Sequence, residues 1–331
     1  MQTRKVEEIM LSIVSMVIRI SILVFTANIA AAQIYPERPI RVLAAEVGGG
    51  ADFIVRIISQ GISGTLGQQM VIDNRPGSPI IPAQIAAKAR SDGYTLLFYG
   101  NQVWLLPFLQ EAPYDPVADF APISLVVKAP NLVVVHPSAA ANSIKELIAL
   151  AKASPGAINY GSGPNGSSNH LAAELFKFMA GVNITRITYQ GTAPALNGVL
   201  GGHVQLMFST TAGGWAHVKS GKLRALAVTS AEPTVLAPGL PTVAASGLPG
   251  YESTAVFGFF APAGTPDIPI RRLNTEIVQF LGKTDVKEKF LGAGVEAVGT
   301  SPAQLAAAMK SDMARMSKVI ANAGMREAPA K

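Results

Sequence analysis

The chain has 331 residues, of which 49% are hydrophobic and 15% charged, and its formal net charge is +6. That is apolar material for about two domains with real cores, and it argues against general disorder. The basic residues are scattered rather than gathered in a stripe with aromatics, which argues against a nucleic-acid partner, and the absence of cysteine removes disulfide scaffolds, thiolate metal sites and cysteine nucleophiles together.

The N-terminus reads as an export signal. Residues 9–32 run IMLSIVSMVIRISILVFTANIAAA, and Arg19 interrupts the apolar stretch, so an unbroken membrane span of ~20 residues is not available. Ala30-Ala31-Ala32 gives a small-residue cleavage pattern, with Gln33 opening the mature chain. Translation from Met16 would make Arg19 the positive n-region and Ile20–Ile29 the apolar core; translation from Met1 would leave Arg4 and Lys5 offset by Glu7 and Glu8. An uncleaved anchor helix is the alternative. Both readings export the rest of the chain, and residues 1–32 are predicted to be a signal peptide.

Beyond Gln33, short β-rich runs alternate with helical ones. Strands are predicted at residues 39–43, 70–74 and 94–99, with helices over 52–66 and 82–89 between them. In the middle of the chain, strands are predicted at 123–127, 131–136, 158–161, 185–190, 204–208 and 223–229. Helices are predicted from a capping box at Ser143 and Glu146, over 168–180 and over 193–200. A loop rich in Pro and Gly covers 231–250, a strand follows at 254–261, and helices over 268–281 and 302–323 finish the chain. Such alternation predicts α/β architecture, parallel sheets with helices on both faces. The strands at 123–127 and 131–136, and those at 223–229 and 254–261, could each cross between lobes, so that the first and last segments form one lobe and the middle another around a ligand cleft. Two sequential domains joined once are the alternative.

Three strand-to-helix turns carry small, donor-rich residues. The strongest is YGSGPNGSSNHL at 160–171, where Gly161, Gly163 and Gly166 match G-x-G-x-x-G. Glycines let backbone approach a ligand, and free N–H groups at a helix start attract an anion. A dinucleotide site also needs an acid on the next strand, and residues 185–190 contain none. The motif is therefore read as a cradle for a small anion such as a carboxylate; a cap without ligand is the alternative. Gly48, Gly49 and Gly50 form a second such turn, and Tyr189 through Pro194, with Gly191 and Thr192, a third. The four histidines make no metal pair, no HExxH and no G-x-S-x-G occurs, and neither enzyme activity, metal nor cofactor is expected. His170 reads as structural, and Trp104 and Trp215 as core.

The stretches YPERPIRVL (35–43), GGGAD (48–52), NRPG (74–77), AAKARSDGYTLL (86–97), YDPVADFAPI (114–123), YGSGPNGSSNHLAAELF (160–176), YQGTAPALNGVLGGHVQLMF (189–208), GKLRALAVTS (221–230), LPTVAASGLPGYE (240–252) and FAPAGTP (260–266) run through nearly the whole mature chain. In number, order and spacing they resemble the Bug family, the substrate-binding components of tripartite tricarboxylate transporters. The resemblance implies a periplasmic-binding-protein-like fold: two α/β lobes joined by a two-crossing hinge, with a carboxylate held in the cleft. Lobe 1 is expected to comprise residues 33–127 and 253–331, and lobe 2 residues 128–252. The implied partners are a small organic carboxylate and the membrane subunits of such a transporter, and a monomer is expected. By this resemblance Asn101 and Gln102, which stand where small hydroxyl residues are common, join Gly48, Gly49, Gly50, Gly163, Gly166, Ser167, Gly191 and Thr192 in the ligand site. So does Ser209, where the family commonly carries Asp.

Several positions depart from the family pattern. The usual Pro-aromatic-x-Pro lead-in is Ala44-Ala45-Glu46-Val47, the residue before Asp52 is Ala51, and Ser78-Pro79-Ile80-Ile81 replace further glycines. Loss of the acid at Ser209 argues against an amino-acid ligand, and Glu46, if it faces the cleft, would repel a second carboxylate. A monoacid or an aromatic acid is therefore expected to bind better than citrate. Two other functions compete: a ligand sensor that presents its closed form to a membrane receptor kinase, and an NAD(P)-dependent oxidoreductase using the glycine motif, which the missing ribose acid and the export signal oppose.

Overall fold

The computed structural model describes residues 35–45, 47, 50–75, 79–163 and 165–326. The predicted signal peptide, Glu46, Gly48 and Gly49 lie outside the described residues. The chain divides into two units, Met1–Glu37 and Arg38–Lys331, and every described helix and strand belongs to the second.

The architecture is α/β, as the alternation predicts. The first portion runs β1 (Ile40–Ala44), α1 (Gly50–Leu66), β2 (Met70–Asn74), α2 (Ile80–Ala87), β3 (Thr95–Gly100) and α3 (Gln102–Leu109). Strand β4 (Phe120–Val135) leads into the second portion: α4 (Ile144–Ala153), β5 (Asn159–Ser162), α5 (Ser168–Ala180), β6 (Thr185–Thr188), α6 (Thr192–Leu200), β7 (Leu206–Thr210), α7 (Thr211–Lys219) and β8 (Arg224–Val228). Then β9 (Thr254–Pro262), α8 (Asp267–Leu281), α9 (Thr284–Gly292), β10 (Glu296–Ala297) and α10 (Pro302–Asn322) return to the first.

The strand order is β2-β1-β3-β9-β4-β7-β5-β6, with β8 and β10 also pairing β4. Strands β2, β1 and β3 are parallel, and so are β7, β5 and β6. The strands between them, β9 and β4, pair antiparallel with their neighbours. Parallel strands need covered faces, which explains the buried apolar runs at residues 42–44 in β1 and 96–99 in β3.

The sequence suggests two strands at 123–127 and 131–136, but the structure joins them into β4, 16 residues long. Its first part pairs β9 as far as Pro130 opposite Thr254, and its last part pairs β7 from Asn131 opposite Thr210. Pro130 lacks an N–H, and it sits where one partner strand gives way to the next, so the strand continues through it.

Aromatic packing fills both portions. In the first, Phe98 lies 4.8 Å from Phe259 and Trp104 lies 6.1 Å from Phe260, ring centre to ring centre. In the second, Phe176 contacts Phe208 and Tyr251 at 5.6 and 6.3 Å. Trp104 is a core residue, as expected, and its indole N–H donates to Asp312 at 2.9 Å. Trp215 is partly buried against a smaller cluster around Leu132, Val199 and Val228.

Candidate ligand-binding site

The site is built where parallel strands end and helices begin. In the first portion, β1 ends at Ala44 and the chain reaches α1, whose buried Asp52 accepts from the Arg56 Nε at 2.9 Å and from the Asn74 Nδ2 at 2.9 Å. The same Asn74 amide donates to the Ala45 carbonyl at 2.6 Å, tying the end of β2 to the end of β1. Asp52, the acid in the first turn of α1, where it also suits the helix dipole, is thus the anchor of this corner.

In the second portion, the turn after β5 holds itself in shape. Gly166 has φ +74°, a left-handed conformation that glycine adopts without strain. Its N–H donates to the His170 Nδ1 at 3.3 Å, while the Ser167 hydroxyl and the Asn169 Oδ1 lie 2.5 Å apart. The Asn169 amide reaches the Thr192 hydroxyl at 3.5 Å, linking the start of α5 to the start of α6. Arg186 on β6 donates to the Ser162 hydroxyl at 2.7 Å and to the Gly163 carbonyl at 2.9 Å, which places a cation behind the turn.

Burial holds the His170 ring, with the nearby cations Arg186 and Lys177 adding to it, neutral down to a pKa of about 3. That neutrality is what leaves Nδ1 free to accept from Gly166. Deeper still, buried Glu174 accepts from the Tyr160 hydroxyl at 2.5 Å and from Lys177 at 2.8 Å. His170 therefore acts as the structural residue the sequence suggests.

These corners meet around a cavity of about 490 Å³, a size typical of small-molecule sites. Its lining draws on the starts of five helices. Ala51 comes from α1, Pro79 from the residue before α2, Gln102 from α3, Asn165, Gly166 and Ser167 from the turn into α5, and Gly191 and Thr192 from the start of α6. Ala45, Tyr99, Leu106, Leu109 and Phe257 complete it. A helix start carries unsatisfied N–H groups and about half a positive charge, so several converging on one space favour an anion there. Open α/β sheets hold ligands at such strand ends.

Of the predicted ligand residues, Gln102, Gly166, Ser167, Gly191 and Thr192 line this cavity together. Gly50 opens α1 beside Ala51. Asn101 caps α3 and spends its N–H on the Val256 carbonyl at 3.1 Å. Two expected positions lie elsewhere. Gly163 is buried, and its N–H donates to the Asn169 Oδ1 at 3.3 Å, so it shapes the turn. Ser209 is buried in β7 with its hydroxyl donating to the Thr210 carbonyl at 3.2 Å and its side chain packed against Gly214.

The sequence profile described as the tripartite tricarboxylate transporter family receptor matches residues 54–325. The chain belongs to this receptor family. Among curated relatives of these receptors, a protein encoded in the tcbD–tcbE intergenic region of a Pseudomonas species is 36% identical over 300 residues, covering 86% of each chain. Protein BugT of Bordetella pertussis is 32% identical over 315 residues, covering 93% of this chain and 97% of BugT.

Solved receptors of similar fold include the R. palustris protein Rpa4515 with adipate, 35% identical with a TM-score of 0.74, covering 88% of this chain and 98% of that one. The periplasmic binding protein BugD is 31% identical with a TM-score of 0.71, covering 89% and 100%. MatC from Rhodopseudomonas palustris with bound malate is 26% identical with a TM-score of 0.70, covering 86% and 100%. The fold is thus the mixed α/β fold of periplasmic solute-binding proteins.

Proposed function

We propose that this chain is a non-enzymatic, extracytoplasmic receptor that captures a small organic carboxylate in the 490 Å³ cavity and delivers it to the membrane subunits of a tripartite tricarboxylate transporter. One observation carries the reading: helix starts from both portions of the fold converge on that cavity. The adipate of Rpa4515 and the malate of MatC are ligands of the same chemical class in related receptors.

In this reading lobe 1 comprises residues 33–127 and 253–331, and lobe 2 residues 128–252. The change of β4 partners at Pro130 and the bond from the Ser253 N–H to the Thr229 carbonyl at 2.9 Å, just before β9, support those limits. The export signal is assigned to residues 1–32 on sequence grounds, and the receptor works as a monomer. Contacts from both lobes favour the closed state, so ligand shifts the population toward closure in proportion to its extra affinity for that state.

The test is calorimetric titration of the purified chain with mono-, di- and tricarboxylates, with amino acids and NAD(H) as controls. Saturable binding of carboxylates is expected. Binding of nucleotide with no response to any carboxylate would overturn the proposal.

A further inference from the structure

The two sides of the cavity differ in chemistry. The starts of α5 and α6 present small residues, hydroxyls and backbone donors, whereas the opposite side presents Leu106, Leu109, Pro79, Ala45 and the Phe257 ring, with Gln102 and Tyr99 its polar side chains. None of the described lining residues carries a charge. The starts of α5 and α6 join their half-charges to the Ser167 and Thr192 hydroxyls at one spot, which matches one carboxylate, whereas those of α1, α2 and α3 reach the opposite side through Ala51, Pro79 and Gln102. The cavity is far larger than that group needs, so the rest of the ligand lies against the apolar side.

A second carboxylate on that side would lose its water, and the first portion's polar side chains in the described lining, Gln102 and Tyr99, are both uncharged. The two sides also close tightly on each other: a Cβ on Gly166 would stand 2.8 Å from the Leu109 Cδ1.

We propose that the site selects carboxylates with a single anionic end and an apolar body, an alkyl chain or a ring, and that Leu106, Leu109 and Phe257 enforce this choice. The inference rests on the carboxylate-receptor reading above and narrows its ligand class. The carboxylate sits at the start of α5 and α6, and the apolar body fills the space toward α3.

Calorimetric titration with matched pairs tests it: hexanoate against adipate, and benzoate against terephthalate. Each pair shares a skeleton and differs by one carboxylate. The monoacid is expected to bind at least tenfold more tightly within each pair. Leu106→Arg, which places a cation on the apolar side, is expected to shift the hexanoate-to-adipate ratio at least tenfold toward adipate. The wild-type comparison decides the matter if that variant fails to fold. Adipate and terephthalate binding as tightly as their partners would overturn the selectivity and leave the receptor reading standing. No binding by any of the four acids would overturn the selectivity, and the receptor reading falls with it only when the wider carboxylate panel is silent too.

Discussion

His170 couples the geometry of the Gly166 turn to pH. Its folded pKa of about 3 lies below the ordinary value of 6.5, because burial disfavours the charged ring. The unfolded chain therefore binds the proton more readily, and the stability contributed by the neutral ring is lost as pH falls from about 6.5 toward 3. At pH 5 this loss is on the order of 2 kcal/mol. Urea unfolding at pH 7 and pH 5 should show it, and His170→Asn should flatten the difference. Trp104→Ala removes a side chain 1% exposed and takes a donor from Asp312, so a loss of roughly 3–5 kcal/mol is expected in the same assay. Gly166→Val places a β-branched side chain at φ +74° and against Leu109, and ligand-induced thermal stabilisation should disappear while the circular dichroism of the folded chain persists. Gly166, Ser167, Gly191 and Thr192 were legible because small residues between a strand and a helix have a backbone meaning. Leu106 and Leu109 were not, because VWLLPFL is apolar throughout and says nothing about which side faces a cavity.

At the scale of elements, terminators and caps were the readable features. The expected Ser143 cap starts α4, its hydroxyl accepting from the Glu146 N–H at 3.2 Å while the Glu146 carboxylate accepts from the Asn142 N–H at 2.8 Å. A full box that the sequence reading did not name starts α10, with the Ser301 hydroxyl accepting from the Gln304 N–H at 3.2 Å and the Gln304 side-chain carbonyl accepting from the Ser301 N–H at 2.9 Å. Ser301→Ala is expected to lower stability by about 1 kcal/mol, measurable as a shift in urea midpoint with unchanged slope. Three helices escaped the sequence reading, each for a local reason. Helix α3 contains Pro107 and lacks a polar face, α7 contains Gly213 and Gly214, and α9 is nine residues long and largely charged. Their helicity comes from tertiary context: α3 packs its apolar side chains into the core, and the Thr210 hydroxyl caps α7 by accepting from the Gly213 N–H at 3.2 Å. The missed α3 supplies three cavity residues, Gln102, Leu106 and Leu109, so the apolar side of the site stayed hidden with it.

For the whole molecule, alternation of strands and helices gave the α/β class, but not the place of β9 between β3 and β4. That pairing sets Leu97 opposite Phe260 and cannot be read from local pattern. Contacts between the ligand turn and the first portion recur around the cavity, and the Asn165 amide donates to the Met325 carbonyl beyond α10 at 3.1 Å. A ligand that favours this arrangement at 100 times its dissociation constant should add about 2.7 kcal/mol to unfolding stability, which a urea titration with and without ligand would reveal.

The chain enters the second portion at Asn131 and, after Tyr251 has packed against Phe176, leaves it at Ser253, with Thr229 between the two crossings. Thr229 ties both: the Asn131 N–H donates to its hydroxyl at 2.7 Å, its own N–H returns to the Asn131 carbonyl at 2.9 Å, and the Ser253 N–H donates to its carbonyl at 2.9 Å. The segment between the crossings is thus a module whose ends are already fastened together. A chimera carrying the matching module from a relative has a single seam to satisfy, and it would exchange the carboxylate cradle while keeping the wall of Leu106, Leu109 and Phe257.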